Sequence, residues 1–398
     1  MKILVASHTY IVELNCEKLR TLANLADGIE VTVVVPQRWK PGGVQNKIIK
    51  AQPWYDGTFR VIPIANLSQN NQPLLSFGTE IISLLQEFKP NVIQVEQGAK
   101  SLGYAQLITL NRLLNLKAKN CFFTWWNLPY QNKFPISWLE NYNLRHTDGL
   151  IAGNQDAEDI LREHGYTGAV KVMPQLGVDE NLFKAQQQAE LASELGIKSD
   201  DFVIGFVGRF VPEKGILTLI KALSGLKELS WKLLLLGRGE LKENLLKEAR
   251  ENEIQDRLIL TESVPHDAVP RYINLMNVLV LPSETNYQVK TLTAVGWKEQ
   301  FGHVLIEAMA CQVPVIGSNS GEIPYVIGEA GLIFPEGDSA ALETCLRQVI
   351  TQPEFAQKLA QSGYERVIEK YTNKALAKQQ LEFYQELISA PNSRAIKK

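Results

Sequence analysis

Short apolar runs recur along the 398-residue chain, and most of them lead into a stretch with helical spacing. Lys2 to Ser7 and Val31 to Val35 read as buried strands, with Leu14, Leu19, Leu22 and Leu25 spaced between them as on a helix. A strand, a helix and a second strand in this order form a parallel pair joined by a crossover, not a hairpin. The rhythm continues with a helix over 75–88, strand Val92 to Val95, a helix over 101–115 and strand Cys121 to Phe123. Strand Gly149 to Ala152 and a helix over 155–164 close the first series. A second series starts with strand 202–207 and a helix from Ile216 onward. Strands Lys232 to Leu236, Leu258 to Leu260 and Val278 to Leu281 follow, then a helix over 304–311 and strand Val313 to Ile316. Helices over 339–350, 354–369 and Ala375 to Ile388 complete it. The expectation is an α/β chain with two Rossmann-like, doubly wound parallel sheets. Its length is sufficient for two separate cores.

Other segments are less regular. Residues 36–74 are rich in Pro, Gly, Asn and Trp and predict loops with one strand, Phe59 to Pro63. Lys133 to Leu139 combines Phe134, Ile136 and Trp138 with nearby Lys133, Arg145 and His146. Such a stretch suits a membrane surface or lipid-linked acceptor, but the core face of a helix is the simpler expectation. Pro391 to Lys398 is expected to fray.

Composition excludes more than it selects. The chain is 45% hydrophobic and 21% charged, with a net charge of −2, which gives no support to nucleic-acid binding. The charge is uneven: residues 1–178 carry +3 and the remainder −5. Cys16, Cys121, Cys311 and Cys345 are widely separated with no Cys-x-x-Cys spacing, and the first three lie within or beside apolar segments, which predicts buried thiols in a reducing cytoplasm. No secretory leader is read at the start, and no apolar run approaches the roughly 20 residues of a membrane span. The expectation is a cytoplasmic protein, at most peripheral at the inner face of the membrane.

Two motifs carry the chemistry. Glu299 and Glu307 stand eight residues apart, flanking Phe301-Gly302 and the start of the apolar helical run Val304, Leu305, Ala308, Met309. Orphan N–H groups and the helix dipole make such a start favourable for an anion. A carboxylate beside a phosphate site suits sugar hydroxyls, which donate to it. The second motif is Gly208-Arg209-Phe210-Val211-Pro212-Glu213-Lys214-Gly215, which sets two cations between a strand's carboxyl end and the next helix. Arg supplies a planar fork and Lys a point charge, both suited to a diphosphate. Each motif alone is matched by solvated surface charges; the pair points to a nucleotide-sugar site.

Those motifs, with Ser320-Gly321-Glu322-Ile323-Pro324-Tyr325-Val326-Ile327 and Ala330 to Asp338, resemble the family 4 retaining glycosyltransferases of GT-B fold, the glycogen-synthase-like group 1 enzymes. The resemblance runs in order through the second half of the chain and is much thinner in the first. It implies a first, acceptor-binding domain over 1–178 and a nucleotide-sugar-binding domain over 179–372, facing each other across a cleft. Residues 373–398 would form a helix and tail crossing back to the first domain. The implied reaction moves a hexosyl group, with retention, from a UDP- or GDP-type sugar to a glycan, lipid-linked or small-molecule acceptor in polysaccharide or glycoconjugate biosynthesis.

The resemblance assigns roles residue by residue. Arg209 and Lys214 would neutralise the departing diphosphate. Gly302, His303 and Val304 would offer backbone N–H groups to the distal phosphate, with Glu307 on the ribose and Glu299 on the donor sugar. A nucleophilic Glu299 is the chemical alternative to positioning. Gly208 and Arg238 belong to phosphate- or base-side turns, and Val264 to the segment whose amides meet the base. No Asp-x-Asp occurs, so neither a metal nor another cofactor is implied.

The chain departs from the family in places. The first loop, Ser7-His8-Thr9-Tyr10, lacks the expected glycines, leaving His8 as either an acceptor-facing group or a packed histidine. Trp126-Asn127 replaces the acceptor-side His, and Trp126 reads equally as a sugar platform or a loop plug. Ser283 to Lys298 is a long connection ahead of Glu299. A lid over the donor is expected there, with a small hairpin or an oligomer contact as alternatives. Two other functions remain open: a nucleotide-sugar epimerase, disfavoured by the missing His, and a silent sugar-binding scaffold.

Overall fold

The computed structural model describes residues 1–40, 47–290 and 295–390. Its contacts divide the chain into two units, Met1–Gly177 with Asn373 onward, and Val178–Thr372.

Among the described residues, ten strands belong to the first unit: β1 (Lys2–Ala6), β2 (Glu30–Pro36), β3 (Arg38–Trp39), β4 (Ile49–Lys50) and β5 (Trp54–Asp56) come first. They are followed by β6 (Phe59–Ile64), β7 (Val92–Val95), β8 (Lys119–Thr124), β9 (Gly149–Ala152) and β10 (Ala169–Val172). Eight form one sheet in the order β10-β9-β8-β7-β1-β2-β6-β5, parallel except at β5, while β3 and β4 make a separate antiparallel ribbon. Successive side chains leave a strand on opposite faces. Ile3, Val5, Val31, Val33 and Phe123 therefore pack on one side with Leu19, Leu22, Leu376 and Tyr384. Leu4, Ala6, Val34, Ile93 and Phe122 pack on the other with Ile81, Leu85, Leu107 and Ile108.

Among the described residues, eight strands belong to the second unit: β11 (Val203–Val207), β12 (Lys232–Leu236), β13 (Leu258–Thr261) and β14 (Val278–Leu281), then β15 (Asn286–Lys290), β16 (Val295–Trp297), β17 (Val315–Ser318) and β18 (Leu332–Phe334). Six form a sheet of order β13-β12-β11-β14-β17-β18, parallel throughout. The chain winds outward from β11 in one direction, then resumes at β14 in the other. This reversal opens a crevice at the carboxyl ends of β11 and β14, where ligands of such sheets bind.

The helix Asn373–Ser389 returns to the first unit and packs along the helix Glu17–Ala23. Two Rossmann-like units with this returning helix are the expected GT-B plan.

Several expectations need correcting. Residues 36–74 hold β3, β4 and β5 besides β6, because Trp39 is buried and Trp54 packs on Phe59 at 5.0 Å. The first helix begins only at Glu17; Leu14 lies in a preceding 3-10 turn and is exposed. The helix expected over 75–88 starts at Glu80. Phe134 and Trp138 are exposed, at 82% and 64%, instead of forming a core face. Their helix, Ile136–Arg145, turns Glu140, Asn143 and Leu144 inward, and Trp138 lies off that stripe. Glu140 there accepts from Tyr130, from Asn132 at 2.8 Å and from His164 at 3.2 Å, so polar bonds claim the inner face. The connection before Glu299 contains the antiparallel hairpin β15–β16. Of the expected lid, Thr291, Thr293 and their neighbours at 292 and 294 lie outside the described residues. So do Pro41-Gly42-Gly43 and the tail from Pro391. No described helix is long and apolar enough to cross a membrane.

The returning helix is held by a buried polar bond as well as by apolar contact. Tyr384 Oη donates to Gln94 Oε1 at 2.6 Å and accepts from Gln380 Nε2 at 2.6 Å. Tyr384→Phe should lower unfolding stability by about 1–3 kcal/mol, since it removes two buried hydrogen bonds and leaves the amides only the longer Gln380–Gln94 bond at 3.3 Å. Urea denaturation checks this: the midpoint should fall with the slope unchanged.

Candidate functional site

The second unit brings most of the nominated residues to the carboxyl edge of its sheet. Beyond β11, Gly208 N–H donates to Leu236 O at 3.0 Å and Phe210 N–H to Arg238 O at 2.9 Å. The turns holding Gly208 and Arg238 therefore lie side by side. Lys214 ends a 3-10 turn, Pro212–Lys214, closed by Gly215 at φ +62°. A Cβ at Gly215 would fall 1.7 Å from Pro282 O, so only glycine passes beneath the end of β14. Glu284 N–H donates to Glu213 O at 2.9 Å and fastens the two loops together.

That fastening delivers Lys214 to Glu299. Lys214 Nζ lies 2.5 Å from Glu299 Oε2, and their side chains are only 15% and 9% exposed. Ser283 Oγ donates to the same oxygen at 2.7 Å, and Ser318 Oγ in turn to Ser283 O at 2.5 Å. Glu322 N–H donates to Glu299 O at 3.2 Å. The hairpin contributes Trp297, whose ring lies 5.0 Å from Lys214 Nζ. A buried pair of this kind offsets two desolvation costs, and removing one partner leaves the other charge uncompensated.

Arg209 is placed differently. Its side chain is 59% exposed and Nη2 lies 3.3 Å from Glu213 Oε1, four residues on. The bond does little for stability at that exposure. It ties the guanidinium to the 3-10 turn that carries Lys214.

Gly302 adopts φ 83° and ends the approach to the helix His303–Ala310, so that Gly302, His303 and Val304 form the expected helix start. Phe301 packs against the His303 ring at 4.8 Å. Glu307, one turn in, meets His266 Nε2 at 3.0 Å through Oε1. His266 follows Val264 by two residues, in the 3-10 turn His266–Ala268 after β13. The bond from Glu307 and its charge raise the imidazole above its ordinary 6.5, against an opposing effect of burial.

In the first unit, His8 stands at the end of β1 with its ring 4.9 Å from Trp39. Its Nδ1 is buried without a partner, and burial pushes its pKa down to about 4, keeping it neutral at physiological pH. Trp126 Nε1 donates to Leu128 O at 2.6 Å, and Lys100 Nζ sits 4.4 Å from the ring. Asn127 is buried. Gln175 bonds Thr9 next to His8 at 3.1 Å, and Trp125 next to Trp126 at 3.0 Å. The same Gln175 amide donates to Glu96 Oε2 at 2.6 Å, and Tyr10 donates to Glu96 Oε1 at 2.9 Å. Cys16, Cys121 and Cys311 are buried, and all four thiols are free.

Sequence reasoning missed His266, Ser283, Ser318 and the Glu96 knot. Glu322 stood in a segment already singled out, without a role. Nothing in the spacing of these residues announces a partner 16 to 86 positions away.

Residues 187–366 match the family described as glycosyl transferases group 1. A stretch of 187 residues, 45% of the chain, is 33% identical to the capsular polysaccharide biosynthesis glycosyltransferase CapM of Staphylococcus aureus, over 44% of that protein. The chain spans about half the length of the curated relatives it matches. Sucrose-phosphate synthase from Thermosynechococcus elongatus superposes with a TM-score of 0.70 at 20% identity, covering 98% of this chain and 100% of that one. The Anabaena protein HepE in complex with UDP does so with a TM-score of 0.69 at 17% identity, covering 97% and 100%. At those identities the likeness is one of fold.

The raised His266 value carries a sign. Its contribution to stability is fully present below the ordinary value near 6.5 and is lost as pH rises through the raised folded value. A proton-NMR titration should give a His266 midpoint above 6.5, and Glu307→Gln should move it down.

Proposed function

We infer that the chain is a retaining glycosyltransferase using a nucleoside-diphosphate sugar. The observation that carries this reading is the buried Lys214–Glu299 contact, one turn of chain ahead of the helix start at His303. In the ligand-free protein each group supplies the other's counter-charge. A donor would exchange both contacts at once, its diphosphate taking Lys214 and its sugar hydroxyls taking Glu299. The match of residues 187–366 to the group 1 glycosyl transferases supports the same reading.

The roles follow from placement. Gly302, His303 and Val304 offer N–H groups to the distal phosphate. Glu307 accepts the ribose hydroxyls, and His266, which holds it in the free protein, gives way or shares it. Gly208, Arg238 and Val264 surround the nucleoside. In the transfer step the bond from the anomeric carbon to the diphosphate oxygen breaks and a bond to an acceptor oxygen forms on the same face. The acceptor's proton passes to the departing diphosphate, whose growing charge Arg209 and Lys214 neutralise. Neither a metal nor another cofactor is assigned to the step. Glu299 acts by positioning: Ser283 Oγ holds one carboxylate oxygen at 2.7 Å while the group accepts the donor-sugar hydroxyls.

The first unit takes the acceptor, with His8, Trp126 and Asn127 near its sheet edge, in polysaccharide or glycoconjugate assembly. Residues Phe134 and Trp138, exposed beside Lys133, suit a cytoplasmic protein resting on the inner face of a membrane. Incubation with labelled UDP- and GDP-sugars tests the reaction. Transfer or slow hydrolysis is expected; epimer formation or binding alone would overturn it.

Two variants test the residue roles. Arg209→Ala should lose roughly 3 kcal/mol of transition-state stabilisation, on the order of a hundredfold in kcat/KM. Because Arg209 is exposed, its melting temperature should hardly change, and wild-type turnover would refute its role. Calorimetry separates the carboxylates: Glu307→Ala should weaken free nucleoside diphosphate, whereas Glu299→Ala should weaken only the intact nucleotide sugar.

A further inference from the structure

A groove of about 570 Å³ lies in the first unit, between Gln37 just after β2, the β3–β4 ribbon and the last residues of β6. Its size is that of a small-ligand site. Ile62 and Pro63 of β6 form part of the lining, with Arg38 of β3, Lys50 of β4 and Tyr55 of β5 around them. Among the described residues, no carboxylate lines it.

The two cations are an unusual pair. Arg38 and Lys50 are direct cross-strand partners in the β3–β4 ribbon. Like charges in that position destabilise a sheet, since the side chains start only about 5 Å apart. Among the described residues neither meets a carboxylate. Asp56, the acid nearest along the strand that carries Tyr55, instead lies 3.7 Å from Arg20. The repulsion is built into a fixed frame. Gln37 N–H donates to Ile64 O at 2.8 Å and Ala51 N–H to Gln37 O at 3.0 Å. Asn66 brackets Arg38, accepting from its N–H at 3.2 Å and donating to its carbonyl at 3.1 Å. The ribbon so bonded keeps its two cations together where no described residue neutralises them.

The other walls indicate what brings the missing charge. Tyr55 is 65% exposed and presents an aromatic ring, a surface that packs on the apolar face of a sugar. Gln37 and Gln52 add exposed amides that both donate and accept, as sugar hydroxyls require. Arg38 supplies a fork for a carboxylate and Lys50 a point charge beside it. The excess positive charge of residues 1–178 points the same way.

We propose that this groove binds an anionic saccharide, a sugar segment bearing carboxylate or phosphate groups, through Arg38, Lys50 and Tyr55. As a statement about the acceptor, it rests on the reading of the first unit as the acceptor side. The glycan being extended would then be acidic, and the groove would hold it away from the reacting hydroxyl.

The test uses the full chain and three probes: an oligogalacturonate of about six residues, maltohexaose, and inorganic phosphate. The oligogalacturonate should bind, more weakly as salt is raised, and Arg38→Ala/Lys50→Ala together should weaken it at least tenfold. Tyr55→Ala should weaken it by a smaller factor, while maltohexaose should bind far more weakly than the acidic probe. The double variant should melt no lower than the parent, since it removes a repulsion. Equal binding of the oligogalacturonate by parent and double variant, or none by either, would overturn the proposal. So would phosphate binding as tightly as the oligosaccharide, because a bare anion would then suffice. Nucleoside diphosphate affinity, measured in the same double variant, should be unchanged. A parent that binds oligogalacturonate but no nucleotide sugar would defeat the donor reading and leave the groove standing.

Discussion

The second unit is arranged around one buried contact, Lys214 to Glu299. Four segments converge on it: the turn after β11, the end of β14 through Ser283, the hairpin through Trp297, and the Ser320-Gly321-Glu322 turn through its amide. Each supplies a bond or a charge, so the pair is both a structural clasp and a chemical resource. Buried charges persist only when satisfied, and a ligand able to replace both partners can open the clasp without leaving either charge bare. A diphosphate attached to a polyol has that capacity.

The same logic distinguishes the two cations nominated from the sequence. Lys214 is sheltered and compensated, whereas Arg209 is exposed and loosely paired with Glu213. An exposed guanidinium contributes little to the fold, so its placement is free to serve a ligand. Glu307 and His266 form a third arrangement, a carboxylate held by a base whose protonation it favours. A ligand that takes the Glu307 oxygen would therefore shift the protonation of His266, because both use one carboxylate oxygen.

In the first unit the corresponding centre is a polar knot. Glu96, 2% exposed, accepts from Tyr10, Gln94 and Gln175, and Gln175 reaches on to Thr9 and Trp125. These bonds hold the loops after β1 and β8 where glycines would otherwise have shaped the first of them. His8 and Trp126 are consequently packed side chains as much as exposed ones: one ring lies against Trp39, the other beneath Lys100. The knot also shows how a loop without glycine keeps a fixed course, by side-chain bonds instead of backbone freedom.

Much of this was readable from residue order, and for a physical reason. Apolar runs and helical spacing are local signals, so the parallel strands, the helix beginning at His303 and the cations of Arg209 and Lys214 could be placed from neighbours in sequence. What depends on distant partners could not. Lys214 and Glu299 are 85 positions apart, and His266 and Glu307 are 41 apart. Trp138 faces outward because Glu140 found Tyr130, Asn132 and His164, a choice made by packing and not by composition. Arg38 and Lys50 became a pair only when β3 met β4. The sequence by itself determined which elements form and which chemistry they carry; only the tertiary structure decided which charges meet, because side-chain pairing depends on through-space distance that the spacing of residues along the chain does not encode.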